Sequence, residues 1–106
     1  MNLTEFEQTL KQNLNIEKAK DVNVKINVTV LNGSSGKFNV TVENNDVNVR
    51  EGKLDDAHIT VGFTTEESLN KMFLEGANPV SLVMSGKMTF NGDMNKGKSL
   101  KGLFIK

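Results

Sequence analysis

Apolar residues at the start of the chain follow a helical spacing. Those residues are Leu3, Phe6, Leu10 and Leu14. They are three or four positions apart, so they share one face of a helix. Asn2 followed three residues later by Glu5 is a capping-box-like pair, and we expect the helix to begin there.

Four segments then alternate apolar and polar residues with a period of two, which is typical of half-buried strands. The segments are Val22–Val30, Phe38–Val42, Val47–Val49 and Ala57–Val61. Turn-forming residues at 32–36 and 43–46 separate the first three. Because the connections are short, we expect the four strands to be antiparallel neighbours in a meander.

The second half of the chain supplies a cover for the apolar face of this sheet. Thr64 with Glu67 predicts the start of a helix, and Gly76 predicts its end. Its apolar stripe consists of Leu69, Met72 and Phe73.

Asn78-Pro79 predicts the start of a further short helix, which Gly86 ends. A fifth strand follows at Lys87–Asn91, and Asp93 is placed to cap a last helical stretch. That stretch carries Leu100, Leu103 and Phe104 on one face.

This order of elements predicts an α+β fold, in which helices cover one face of a five-stranded, mostly antiparallel sheet. The chain has 106 residues, which is enough for one domain, so we expect a single domain over residues 1–106.

Composition excludes several classes of function. Thirteen basic and thirteen acidic residues cancel, which argues against a nucleic-acid partner, and no cysteine is present for a thiolate nucleophile or a disulfide. His58 is the only histidine, so we expect no metal site and no cofactor. The polar start of the chain and its short apolar runs favour a cytoplasmic protein.

Two motifs invite a catalytic interpretation, and we interpret both as structural. Residues 92–99 match the P-loop pattern G-x-x-x-x-G-K-S/T, but only seven residues follow Ser99, too few for the parallel sheet that such a loop serves. His58 alternates with the apolar Ile59, so we expect it on the wet face of its strand. The chain is therefore predicted not to be an enzyme.

Methionine and phenylalanine are concentrated in the last 35 residues, where they suit either an ordinary core or the lining of a pocket for an apolar ligand. Lysines exceed acids in the same region. Lys96, Lys98 and Lys101 are our candidates for contact with an anionic head group, although a solvated helix face explains lysines equally well.

Several blocks of the second half resemble the sterol carrier protein type 2 family. Residues 55–61 (DDAHITV) are similar to the family's A-D-x-T-I-T strand, residues 76–80 (GANPV) to its G-x-x-N-P block, and residues 85–94 (SGKMTFNGDM) to its G-K-L-x-I-x-G-D/N-M block. The blocks occur in the family's order and spacing.

The resemblance implies an apolar tunnel between sheet and helices that carries a fatty acid, an acyl-CoA, a phospholipid or a sterol-like lipid. Unlike family members that are fused to lipid-handling enzymes, this chain is expected to be a stand-alone member. Candidate lining residues are Leu69, Met72, Phe73, Val80, Val83, Met84, Met88, Phe90, Leu100, Leu103 and Phe104. Transient contact with a membrane and a homodimer remain open as further partnerships. The alternative is an interaction or dimerisation domain whose tunnel is closed.

Overall fold

A computed structural model of the protein describes residues 2–31 and 36–105. The strands are β1 (Val24–Val30), β2 (Lys37–Glu43), β3 (Asp46–Glu51), β4 (Ile59–Phe63) and β5 (Met88–Gly92). The helices are α1 (Leu3–Asn13), α2 (Ile16–Ala19), α3 (Glu66–Leu74), α4 (Pro79–Met84) and α5 (Met94–Lys98). The predicted α+β class is confirmed. The predicted turn at 32–36 lies, except for Gly36, outside the described residues.

The five strands form one sheet in the order β3-β2-β1-β4-β5. All neighbouring pairs are antiparallel except β1 and β4, which are parallel. The predicted four-strand meander is therefore wrong at its last step, because β4 lies beside β1 rather than beside β3. Residues 52–58 carry the chain back across β2 and β1 to reach that position.

Two buried asparagines hold this crossing segment against the outer face of the sheet. The Asn27 side chain donates to the backbone carbonyl of Leu54 at 2.8 Å and accepts from the Leu54 N–H at 2.8 Å. The side chain of Asn39 donates to the Gly52 carbonyl at 3.1 Å. These bonds satisfy polar groups that would otherwise be costly to bury, and they explain why the crossing is stable without a helix.

His58 ends the crossing and is half-buried one residue before β4, rather than on the strand as predicted. Its Nδ1 accepts a hydrogen bond from the Lys25 backbone N–H at 3.0 Å, and its own N–H donates to the Lys25 carbonyl at 2.9 Å. The imidazole thus joins the start of β1 to the start of β4.

The β2–β3 hairpin turns on Asn44 and Asn45, which have φ values of 52° and 57°. Asparagine tolerates this left-handed conformation, which a two-residue hairpin turn requires. Helix α1 then covers the free edge of β3, where the Glu7 carboxylate accepts from the Val49 N–H at 2.7 Å. An edge strand closed in this way is protected from pairing with another chain.

Side-chain caps begin the helices close to their predicted positions. Asn2 accepts from the Glu5 N–H at 3.1 Å, as predicted for α1. The start of α3 was placed one residue too early, because Thr65 rather than Thr64 accepts from the Ser68 N–H, at 3.1 Å. Gly76, with φ of 71°, follows the end of α3.

Phenylalanine rings fill the layer between helices and sheet. The Phe73 ring of α3 lies at the centre, with its centroid 5.7 Å from that of Phe6, 6.2 Å from Phe63 and 5.9 Å from Phe104. Phe6 also meets Phe38 of β2 edge to face at 5.9 Å. These contacts join α1, α3, the sheet and the last turns of the chain into one core.

Candidate ligand-binding site

The structure divides the predicted lining residues into a buried group, an exposed group and one half-buried residue. The buried ones belong to the core: Leu69, Met72, Phe73, Met88, Leu100, Leu103 and Phe104. Phe90 is half-buried, whereas Val80, Val83 and Met84 are exposed. The buried group therefore packs in the layer where the resemblance implies a tunnel, and the exposed group lies on α4 at the surface.

A surface cavity of about 200 Å³ lies between the start of α4 and α5. Its walls are Asn78, Pro79, Val80, Met94, Gly97, Lys98 and Lys101. Apolar side chains provide most of these walls, and two lysines stand among them. This cavity, which we call the α4–α5 cavity, is the candidate site.

Local capping chemistry builds the α4 wall of the cavity. The Asn78 side chain accepts from the Val80 N–H at 2.9 Å, and Pro79 occupies the first turn, where a missing N–H costs nothing. Pro79 and Leu82 turn inward and are buried. The remaining helical positions, including Val80, are consequently directed toward the cavity or the solvent.

The α5 wall depends on a glycine. Asp93 caps the helix by accepting from the N–H groups of Asn95 at 2.9 Å and Lys96 at 3.3 Å. Gly97 then lies so close to β5 that a Cβ added to it would come within 2.6 Å of the Phe90 ring. A side chain at this position would push α5 away from β5 and alter the cavity.

The predicted head-group lysines do not act as one group. Lys98 and Lys101 line the cavity, and no carboxylate of residues 2–31 or 36–105 forms an ion pair with either ammonium group. Lys96 is directed elsewhere, because its Nζ donates to the backbone carbonyl of Asn23 at 2.7 Å. We therefore exclude Lys96 from the candidate site.

Sequence reasoning missed several residues of the cavity. Asn78 and Pro79 were interpreted as a helix start and as part of the family-like block at residues 76–80, and Gly97 only as part of a chance P-loop match. Met94 was noted among the clustered methionines but was not selected. The available sequence signal was its position directly after Asp93, as the first residue of a helix that otherwise contains only polar residues and glycine. The structure shows Met94 to be 45% exposed, so it contributes little to the core.

The P-loop match at residues 92–99 has no phosphate-loop geometry. Strand β5 is antiparallel to β4, and α5 has only five residues. The segment is instead the strand-to-helix turn that places Met94 and Lys98 at the cavity. Among the described residues, no helix has the length and apolar character needed to cross a membrane.

Comparisons with known proteins bear on this site. A profile of the family described as alkyl sulfatase C-terminal matches residues 1–106. Comparison with curated protein sequences gives no match. Among solved structures, the inverting sec-alkylsulfatase Pisa1 from Pseudomonas sp. superposes with a TM-score of 0.80 at 20% identity, covering 100% of this chain and 17% of the alkylsulfatase.

Two smaller proteins share the fold. Sterol carrier protein 2 from Yarrowia lipolytica, in its apo form, matches with a TM-score of 0.59 at 22% identity, covering 98% of this chain and 84% of that one. Palmitated SCP2L2 from Aedes aegypti matches with a TM-score of 0.64 at 14% identity, covering 98% and 92%. The fold implied by the sequence resemblance is therefore confirmed.

Proposed function

Since the chain belongs to the alkyl sulfatase C-terminal family, we propose that it is a non-catalytic domain that binds an anionic amphiphile in the α4–α5 cavity. The ligand class is an alkyl chain with a sulfate, carboxylate or phosphate head group, which includes fatty acids and acyl-CoA. The observation that carries the proposal is the pairing of apolar walls with two lysines that no described carboxylate neutralises.

The cavity volume limits how much of such a ligand is held. A cavity of about 150 Å³ accommodates benzene, so the 200 Å³ here has room for roughly eight carbon atoms. Covering about 150–200 Å² of alkyl surface favours binding by roughly 4–5 kcal/mol before ordering costs. Including a charge-assisted contact with lysine, we expect a dissociation constant on the order of 0.1–1 mM.

Two comparisons support an amphiphile as the ligand. The alkylsulfatase carries this fold within a protein whose name specifies an alkyl sulfate, and the Aedes aegypti protein of the same fold is described as palmitated. Both ligands combine an alkyl chain with an anionic group. The matched part is a small share of the alkylsulfatase, so we assign binding, and no turnover, to this domain.

The test is a titration with octyl sulfate below its micellar concentration, followed by ¹H–¹⁵N correlation spectra. We expect the largest shift changes at Val80, Met94, Gly97, Lys98 and Lys101. Octyl glucoside, which has the same tail and no charge, should bind more weakly. Octyl sulfate should remain intact on prolonged incubation, as followed by ¹H spectra.

Three variants make the titration specific. Replacing both Lys98 and Lys101 by Gln should weaken octyl sulfate binding by about tenfold. A charged hydrogen bond contributes roughly 1.5–3 kcal/mol to the binding free energy when it is shielded from water, and less at an exposed surface. The matched control makes the same change to Gln at Lys37 on β2 and Lys53 in the crossing segment, both of which are exposed. Val80→Trp should fill the cavity and abolish binding. Shift changes centred elsewhere, or equal effects of the two lysine pairs, would overturn the proposal.

An interaction or dimerisation domain is the second candidate. It is favoured by the packed phenylalanine core together with the exposed apolar residues of α4. Light scattering after size exclusion separates the two, because a concentration-dependent dimer that octyl sulfate does not affect supports this candidate alone.

A further inference from the structure

Exposed apolar side chains are concentrated on the helices α4 and α5. Among the described residues, the large hydrophobic side chains with at least 39% exposure are Ile16, Leu31, Val80, Val83, Met84, Met94 and Ile105. Four of these seven lie on α4 and α5. We call the surface formed by Val80, Val83, Met84 and Met94 the α4–α5 face.

Helix α4 produces this face because five of its six residues are apolar, the exception being the exposed Ser81. Pro79 and Leu82 are its buried residues and pack against the core. Val80, Val83 and Met84 follow the i, i+3, i+4 spacing and form a second apolar stripe, in which Met84 is 83% exposed. A helix that is apolar on the side away from its core is expected to meet a second apolar phase.

The segment that carries the face has a positive net charge. Residues 79–105 contain four lysines, Lys87, Lys96, Lys98 and Lys101, and the single acid Asp93, so their net charge is +3. The Asp93 carboxylate already accepts from two backbone N–H groups of α5. Lys87 is exposed directly after α4, and Lys98 and Lys101 border the cavity.

We propose that the α4–α5 face docks on the surface of an anionic phospholipid bilayer. Met84 and Val83 enter the boundary between head groups and acyl chains, while Lys87, Lys98 and Lys101 contact phosphates. Charge complementarity selects this partner, since a lipid surface offers an apolar phase bordered by negative charge. Docking itself does not depend on the proposed function. A role of docking in bringing the α4–α5 cavity to the bilayer does rest on the proposed function.

The individual lysine and apolar contributions to bilayer binding are small enough for docking to be reversible. Each lysine near an anionic surface is expected to strengthen binding about fivefold. Burial of the exposed part of Met84 is expected to add about tenfold. Since the lysine contribution is electrostatic, added salt should weaken docking by screening it, and the apolar contribution should not be reduced.

The experiment is co-sedimentation with two kinds of vesicle, one of phosphatidylcholine alone and one of equal parts phosphatidylcholine and phosphatidylglycerol. We expect binding to the anionic vesicles that added salt reduces, and at least tenfold weaker binding to the neutral ones. Equal binding to both, or binding to neither, overturns the proposal.

Variants then locate the contact. Replacing Val83 and Met84 by Ser should reduce vesicle binding by at least tenfold, whereas the same change at Ile16 and Leu31, which are 63% and 71% exposed and do not belong to the α4–α5 face, should have no effect. Circular dichroism verifies that each variant is folded. Equal losses from both pairs, or a change in self-association with no change in vesicle binding, would contradict docking through this face.

The same variants separate docking from ligand binding. Val83 and Met84 are not among the residues that line the cavity, so their Ser variant should retain its affinity for octyl sulfate. If the wild-type protein binds anionic vesicles but does not bind octyl sulfate, the proposed function is contradicted and the docking proposal is not.

Discussion

Replacing Phe73 by Ala should cost this domain a large share of its stability. The ring is 2% exposed and touches the rings of Phe6, Phe63 and Phe104. Burial of a phenylalanine contributes about 1.5–3 kcal/mol, and each ring pair adds about 0.5–1.5 kcal/mol. We therefore expect the free energy of unfolding to fall by about 3–5 kcal/mol, as is usual for such truncations.

Because the chain has no Trp and no Tyr, unfolding is best followed by far-ultraviolet circular dichroism in urea. A domain of this size has about 5–15 kcal/mol of stability, so Phe73→Ala should shift the midpoint strongly or leave the protein largely unfolded. Phe73→Leu is the matched control. It keeps most of the volume and should cost only about 1.5 kcal/mol. A loss below about 1 kcal/mol for Phe73→Ala would refute the view that this ring joins the core.

Two further changes test local features. Thr65→Ala should lower the free energy of unfolding by about 1 kcal/mol through loss of the α3 cap, whereas Thr64→Ala should cost less; the reverse order would contradict the assignment of the cap. The Lys11 ammonium, 2.9 Å away, holds the pKa of Asp46 below its ordinary value of 3.8, so the ionised carboxylate stabilises the fold above that value and the effect is lost as pH falls through the folded pKa. Asp46→Asn should therefore lower the melting temperature at neutral pH and not in strong acid, and an equal loss in both would contradict this account.

Local elements of the fold could be predicted because their signals are local. The helical spacing of Leu3, Phe6 and Leu10 and the alternation from Val24 to Val30 specify which side of each element is buried. Asn2 and Asp93 cap helices at the predicted positions. Such signals depend only on neighbouring residues, so these elements can be predicted without knowledge of the rest of the fold.

The candidate site was predicted only in part. Val80, Lys98 and Lys101 were selected from the sequence and line the cavity, whereas Lys96, from the same run of lysines, bonds to Asn23 on the other side of α5. Spacing along a five-residue helix does not say which side faces a neighbour. The close approach of Gly97 to the Phe90 ring likewise depends on how α5 lies on β5.

The sequence alone determined the type and order of the elements apart from the short helix α2, the apolar side of the sheet and a family resemblance that the fold confirms. The tertiary structure decided that β4 pairs in parallel with β1, because the bonds of Asn27 to Leu54 and of Lys25 to His58 join residues about thirty positions apart. It also decided which apolar residues fill the core and which remain outside. Periodicity identifies a buried side only for an element with one apolar face, and α4, with Leu82 inside and Met84 outside, is apolar on both.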